Sequence, residues 1–231
     1  MSKTVIITGA TGNLGGAVTE AFITAGYKVI GTIEPGKRRD ENRDTGHLKF
    51  MEVDLADEAK AAAFIDEVHR AEGEISACVM LVGGFAMADI ASTTGEDISK
   101  MITLNFNTAY HTARPVLDIM KLQSTMGCLV FVGAKPALNP AIAGGVTAYA
   151  LSKSMVIQFA NIINGDAKTH NATATVVVPS IIDTPPNRAS MPDANFDDWV
   201  KPEKIASTIL FACSEEGSEL RGSVLKVYGN S

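Results

Sequence analysis

Short apolar runs alternate with longer helical periods from one end of the chain to the other. The run at 4–7 (Thr-Val-Ile-Ile) is β-branched and reads as a buried strand. It enters a glycine turn, and a helix follows through Val18, Ala21, Phe22 and Ala25 until Gly26 stops it. Residues 27–33 form a second strand, and the polar segment 34–47, with Pro35 and Gly36, a surface loop. A third strand at 48–53 precedes a helix at 57–71, with Asp57 as N-cap and Gly73 beyond its end. The fully apolar run 75–82 is strand four. Residues 98–120 read as a helix kinked or divided at Pro115, and 129–132 as strand five.

The helix predicted over 149–163 is apolar on nearly every face, so it is buried in its own domain or against another subunit. Strand six follows at 173–178. The stretch 183–202 has four prolines and no period, and is expected to be a long loop. A helix at 202–213 with Pro at its first turn and a last strand at 224–228 complete the chain. This alternation, with no repeat and no linker, predicts α/β: one doubly wound Rossmann-type domain over 1–231. Its mostly parallel, about seven-stranded sheet is flanked by helices, with a substrate loop near 183–202.

Composition narrows the function classes. The chain is 46% hydrophobic and 6% aromatic, the look of parallel strands covered by helices. A net charge of −6 with no basic face argues against nucleic acid. No run is long enough for a membrane span or a targeting segment, so a cytoplasmic protein is expected. Cys78, Cys128 and Cys213 lie far apart, as do His47, His69, His111 and His170, so no metal site is expected.

Two stretches carry chemistry. Thr8-Gly9-Ala10-Thr11-Gly12-Asn13-Leu14-Gly15 links the first strand to the first helix, where such a fold binds a dinucleotide. Glycine lets the backbone approach a pyrophosphate, and the helix N-terminus offers free N–H groups. An acidic residue about 20 positions later holds the adenosine ribose in this design. Glu34 stands there, with Ile33 as the other occupant of the ribose-facing position. Lys37, Arg38 and Arg39 are candidates for a 2′-phosphate, which leaves NAD and NADP both open. The second stretch is Tyr149-Ala150-Leu151-Ser152-Lys153. Four residues apart on a helix, Tyr149 and Lys153 share a face, and an ammonium beside a phenol lowers its pKa toward a usable proton donor.

With these motifs in this order, the chain resembles the short-chain dehydrogenase/reductase family over nearly its whole length. The resemblance implies cofactor contacts from Gly9, Thr11, Gly12, Asn13, Leu14 and Gly15, and an adenine-binding Asp54 followed by Leu55. Val82-Gly83-Gly84 stands where the family has Asn-Ala-Gly. Pro179 through Ile182 to Thr184 resembles its nicotinamide-binding segment. It implies Tyr149 as proton donor, Lys153 as its partner and a holder of the nicotinamide ribose, and Asn105 as the anchor of a relay water.

One departure stands out. The family's substrate-binding serine falls on Ala134, which has no donor; Thr147 is the candidate replacement. The Gly133-Ala134-Lys135 corner and the loop ending in Trp199 are similar to the dihydropteridine reductase branch. That similarity implies a quinonoid dihydropterin-like substrate in a pocket formed by Ala134, Phe85, Met191 and Trp199. The alternatives are a carbonyl or 3-oxoacyl reductase of the same family and a non-catalytic NAD(P)-sensing protein. The resemblance further implies a small-molecule substrate and a homo-dimer or homo-tetramer.

Overall fold

The computed structural model describes residues 3–37, 45–222 and 224–230. Among the described residues, seven strands form one sheet: β1 (Thr4–Thr8), β2 (Lys28–Ile33), β3 (Leu48–Glu52), β4 (Ala77–Met80), β5 (Gly127–Val132), β6 (Ala172–Pro179) and β7 (Val224–Val227). Their order across the sheet is β3-β2-β1-β4-β5-β6-β7, and all six pairings are parallel. The order reverses between β1 and β4, so a crevice opens at the carboxyl ends of those strands.

Alternation of side chains along the strands builds two cores. Ile6, Ile30, Leu129 and Phe131 point to one side, under α2 (Glu58–Glu72), α4 (Thr108–Met120) and α6 (Thr147–Gly165). Val5, Ile7, Val29, Ile33 and Val130 point to the other, under α1 (Asn13–Thr24) and α9 (Pro202–Ala212). Burying each such side chain contributes about 1.5–3 kcal/mol. Asp57 caps α2 by accepting from the Lys60 N–H at 3.1 Å, and Gly73 ends it at φ 77°.

Two expected segments differ. The helix foreseen over 98–120 is divided, but not by its proline. α3 (Gly95–Ile102) passes into a π-helical turn over Thr103–Asn107 and then into α4, and Pro115 lies inside α4. The stretch 183–202 is not a structureless loop. It holds α8 (Pro185–Ser190) and a 3₁₀ turn over Phe196–Asp198. Pro185 and Pro186 occupy the first positions of α8, where a missing N–H costs nothing, and the Thr184 hydroxyl accepts from the Asn187 N–H. Short helices α5 (Lys135–Leu138) and α7 (Ala167–His170) were also not foreseen. Among the described residues no helix is long and apolar enough to cross a membrane.

Candidate active site

The glycine turn leaves β1 with Gly9 at φ 65°. Gly15 is buried, and a Cβ there would overlap the Gly9 carbonyl oxygen, so the turn closes only because that position is bare. Gly12 is the N-cap of α1 and has no side chain to offer the helix. Among the described residues, the N–H groups of Asn13, Leu14 and Gly15 have no partner. A row of unpaired donors at the start of a helix, on a close-packed backbone, fits a dinucleotide pyrophosphate. Thr11 is exposed on the same turn. The turn is braced from below: Gly9 N–H donates to the Thr32 hydroxyl at 3.2 Å, and the Thr8 hydroxyl accepts from Leu81 N–H at 2.9 Å.

At the end of β2, Ile33 is buried in the core and Glu34 is exposed, paired with Lys37 at 2.7 Å. Arg38 and Arg39, the other candidates for a 2′-phosphate, lie outside the described residues. After β3, Asp54 accepts from the Ala56 N–H at 3.1 Å, and the buried Leu55 accepts at its carbonyl from His111 Nδ1 at 3.1 Å.

The chemistry gathers past β4 and β5. Asn105 sits in the π turn, 1% exposed. Its Oδ1 accepts from Gly84 N–H at 2.9 Å; its Nδ2 donates to the Gly84 carbonyl at 3.1 Å and to Ser152 Oγ at 3.0 Å. A Cβ on Gly83 would stand 2.5 Å from Asn105 Oδ1 and 3.3 Å from Lys153 Nζ, so the bare Gly83 backbone leaves room for both side chains. Lys153 is buried and donates from Nζ to the Val132 carbonyl at 2.8 Å.

Tyr149 is half-buried, its ring edge-to-face with Phe85 at 5.0 Å. Its hydroxyl reaches the surface and has no partner among the described residues. Burial pushes the Tyr149 phenol up to about 12. Burial likewise brings the Lys153 ammonium down from 10.5 to about 8. This corrects the expectation that Lys153 lowers the tyrosine pKa: in the chain itself, desolvation governs both groups.

Ala134 follows β5 and is 4% exposed, with no hydroxyl at that corner. Thr147 begins α6, its N–H bonded to the Ala88 carbonyl at 3.0 Å. Two residues from Tyr149 on one helix, it projects from a different face. Pro179, the last residue of β6, pairs with Val227, and beyond it Ile182 forms a bridge with Val200 that closes the base of the 183–202 segment. Thr184 and Asn13 line a shared cavity of about 450 Å³, with Arg188 and Lys201 also in its wall. Trp199 is buried with its ring 4.8 Å from Phe196, Met191 is half-exposed, and Phe85 is 62% exposed. Of the four residues expected at the substrate, the structure therefore sets Phe85 against Tyr149 and seats Trp199 as a packing anchor of its own segment.

Sequence reasoning missed three contributors: Ser152, the π turn, and the bidentate Asp183–Arg188 pair at 2.6 and 2.8 Å that stiffens the start of α8. Only the last had a local signal, opposite charges five residues apart. A larger cavity, about 590 Å³, opens at the amino ends of the strands beside Cys128 and Cys213. It lies on the opposite end of the sheet from the glycine turn and Tyr149.

Residues 3–195 match the family model described as short chain dehydrogenase. The chain belongs to the short-chain dehydrogenase family. Among curated relatives, the acetoacetyl-CoA reductase of Acinetobacter sp. is 27% identical over 98% of this chain and 96% of its own length. The dihydropteridine reductase of Dictyostelium discoideum is 27% identical over 98% and 94%. Among solved structures, the aldohexose dehydrogenase of Thermoplasma acidophilum superposes with a TM-score of 0.85 at 25% identity, covering 99% of this chain and 94% of that one. As a short-chain dehydrogenase the protein is an NAD(P)-dependent oxidoreductase acting on a small molecule.

Proposed function

We propose that this short-chain dehydrogenase reduces a conjugated, quinonoid ring of the dihydropteridine type rather than a simple ketone. The observation that carries the reading is Ala134, buried at the corner after β5 with no donor to offer a substrate oxygen. A ketone that accepts hydride becomes an alkoxide, and losing one donor to such an oxygen costs about 10²–10³ in rate. A quinonoid ring that accepts hydride spreads its charge over the ring system and needs one proton, not an oxyanion donor. When bound in the crevice beside the glycine turn, NAD(P)H would supply the hydride.

The chain's own residues do the rest. Asn13, Leu14 and Gly15 hold the pyrophosphate with their unpaired N–H groups. Tyr149 is protonated at neutral pH and donates the proton from its open hydroxyl, against a burial that pushes its pKa up to about 12 and makes it a weaker acid. Lys153, charged below about 8, is the cation nearest in sequence on that helix to offset the phenolate left behind. Both Asn105 Nδ2 hydrogens are committed to Gly84 and Ser152, while Oδ1 accepts only from Gly84 N–H, so a relay water would donate to the remaining lone pair of that oxygen. Phe85, edge-on to Tyr149 and open to solvent, offers a flat apolar wall.

The second reading is a 3-oxoacyl or other carbonyl reductase, favoured by the equal identity to acetoacetyl-CoA reductase. It needs a donor that neither Ala134 nor the differently facing Thr147 supplies. Turnover on quinonoid dihydropterin, quinones and 3-oxoacyl thioesters, each with NADH and NADPH, separates the two. Faster reduction of the thioesters refutes the ring reading, and tight cofactor binding without turnover on any of them points to a sensor. In this proposal the whole chain is one nucleotide-binding domain, with the 183–202 segment over its substrate. Leu151, Met155 and Ile162 leave α6 with an exposed apolar stripe, which a second copy covers in a homo-dimer or larger assembly. The three free thiols suit a reducing, cytoplasmic setting.

A further inference from the structure

Ser152 is completely buried, one residue before Lys153 and three after Tyr149. Its hydroxyl accepts from Asn105 Nδ2 at 3.0 Å and donates to the Tyr149 carbonyl at 2.8 Å. Asn105 in turn grips both the N–H and the carbonyl of Gly84. Gly84 is the residue before Phe85, whose ring meets Tyr149 at 5.0 Å and 78°. The bonds therefore form a closed ring through the site: Tyr149, Ser152, Asn105, Gly84, Phe85 and back to Tyr149. Each polar contact lies within ordinary hydrogen-bond length, and Asn105 and Ser152 at its centre are shielded from water, where such bonds are least easily exchanged.

The loop bearing Phe85 is rooted by the Thr8 hydroxyl, which accepts from the Leu81 and Val82 N–H groups at 2.9 and 3.3 Å, and beyond that root it is placed by few contacts. Phe85, Met87 and Ile90 are largely exposed, so packing does not fix this segment. Its far side is tied to α6 by the Thr147 N–H bond to Ala88 at 3.0 Å, and its near side by the Asn105 grip on Gly84. Only the near tie reaches the Tyr149 turn through a side chain, and that side chain is Ser152. We propose that Ser152 is a positioning residue: through Asn105 and Gly84 it sets the spacing of Phe85 from the Tyr149 phenol, and so the width of the slot that receives the substrate. This rests on the reading of Tyr149 as proton donor, but its geometry is testable apart from turnover.

The test uses full-length protein labelled with 3-fluorotyrosine. Tyr149 is one of four tyrosines, and its fluorine resonance is assigned with Tyr149→Phe. Phe85→Ala gives the resonance position without the neighbouring ring. Ser152→Ala is expected to move the Tyr149 resonance toward that position and to lower kcat about 10-fold, on the scale of one buried hydrogen bond. Affinity for NAD(P)H should stay within about 2-fold, because Ser152 touches no donor of the glycine turn. Ser152→Cys keeps a weak donor and should recover part of both changes; it also carries the test if Ser152→Ala fails to fold. A resonance unmoved in both variants overturns the proposal, as does a moved resonance with unchanged kcat. If the wild type turns over no substrate on the panel, the proposed activity fails, and the resonance alone still decides whether Ser152 sets the Phe85–Tyr149 spacing.

Discussion

Lys153→Met should make the protein inactive and, at neutral pH, more stable. The folded state holds the Lys153 amine buried, and burial lowers its pKa from 10.5 to about 8. At 1.36 kcal/mol per unit, keeping that amine charged costs the fold on the order of 3 kcal/mol at pH 7. Between pH 8 and 10.5 the unfolded chain binds a proton that the folded chain does not, so wild-type stability rises with pH across that window. Below pH 8 the penalty is present in full; above 10.5 it is gone. Methionine carries no such penalty, but it leaves the Val132 carbonyl without the donor that Lys153 supplies at 2.8 Å, at a cost of about 1–2 kcal/mol. The variant should therefore be about 1–2 kcal/mol more stable at pH 7 and less stable by a similar amount at pH 10.5. Urea unfolding of nucleotide-free protein at both values, read as variant minus wild type, cancels the other titrating groups. An equal difference at the two values would refute the desolvation argument.

Tyr149→Phe should cut turnover about 10²-fold or more with cofactor affinity nearly intact in a fluorescence titration; full turnover would remove Tyr149 from the mechanism. Ala134→Ser should raise activity on ketones about 10-fold or more without a matching gain on quinonoid rings, and steady-state rates on both decide it. Gly15→Ala places a Cβ on the Gly9 carbonyl and should abolish nucleotide binding by calorimetry, while circular dichroism shows a folded sheet.

The sheet and the glycine turn were legible because their signals are local. β1 is a run of β-branched residues ended by glycine, and α2 announces itself with Asp57 at one end and Gly73 at the other. Tyr149 and Lys153 were legible as a pair because helical spacing puts them on one face. Their pKa values were not. Spacing shows a cation one turn away, whereas desolvation depends on what packs around both groups, and it reverses the expected direction for the tyrosine. α8 was hidden because Pro185 and Pro186 read as breakers although they begin the helix. The Asn105–Ser152 bond joins positions far apart in the chain, and nothing near either residue advertises the other. Membership of the family came from the order of many weak matches, none decisive alone.

The π turn at Thr103–Asn107 has a consequence for how this chain tolerates insertions and deletions. A π turn is an α-helix carrying one surplus residue. Excising that residue would heal α3, the turn and α4 into one regular helix, with no loop broken and no glycine or proline disturbed. Yet α3 and α4 would then differ in phase by about 100° from their present arrangement. Met101 and Asn105, both buried now, could not stay inside while Val116 and Met120 also kept their places. The most regular form of this helix is thus the one that unmakes the site, and a single-residue deletion that improves local geometry would be silent in a helix-content spectrum but not in the assay.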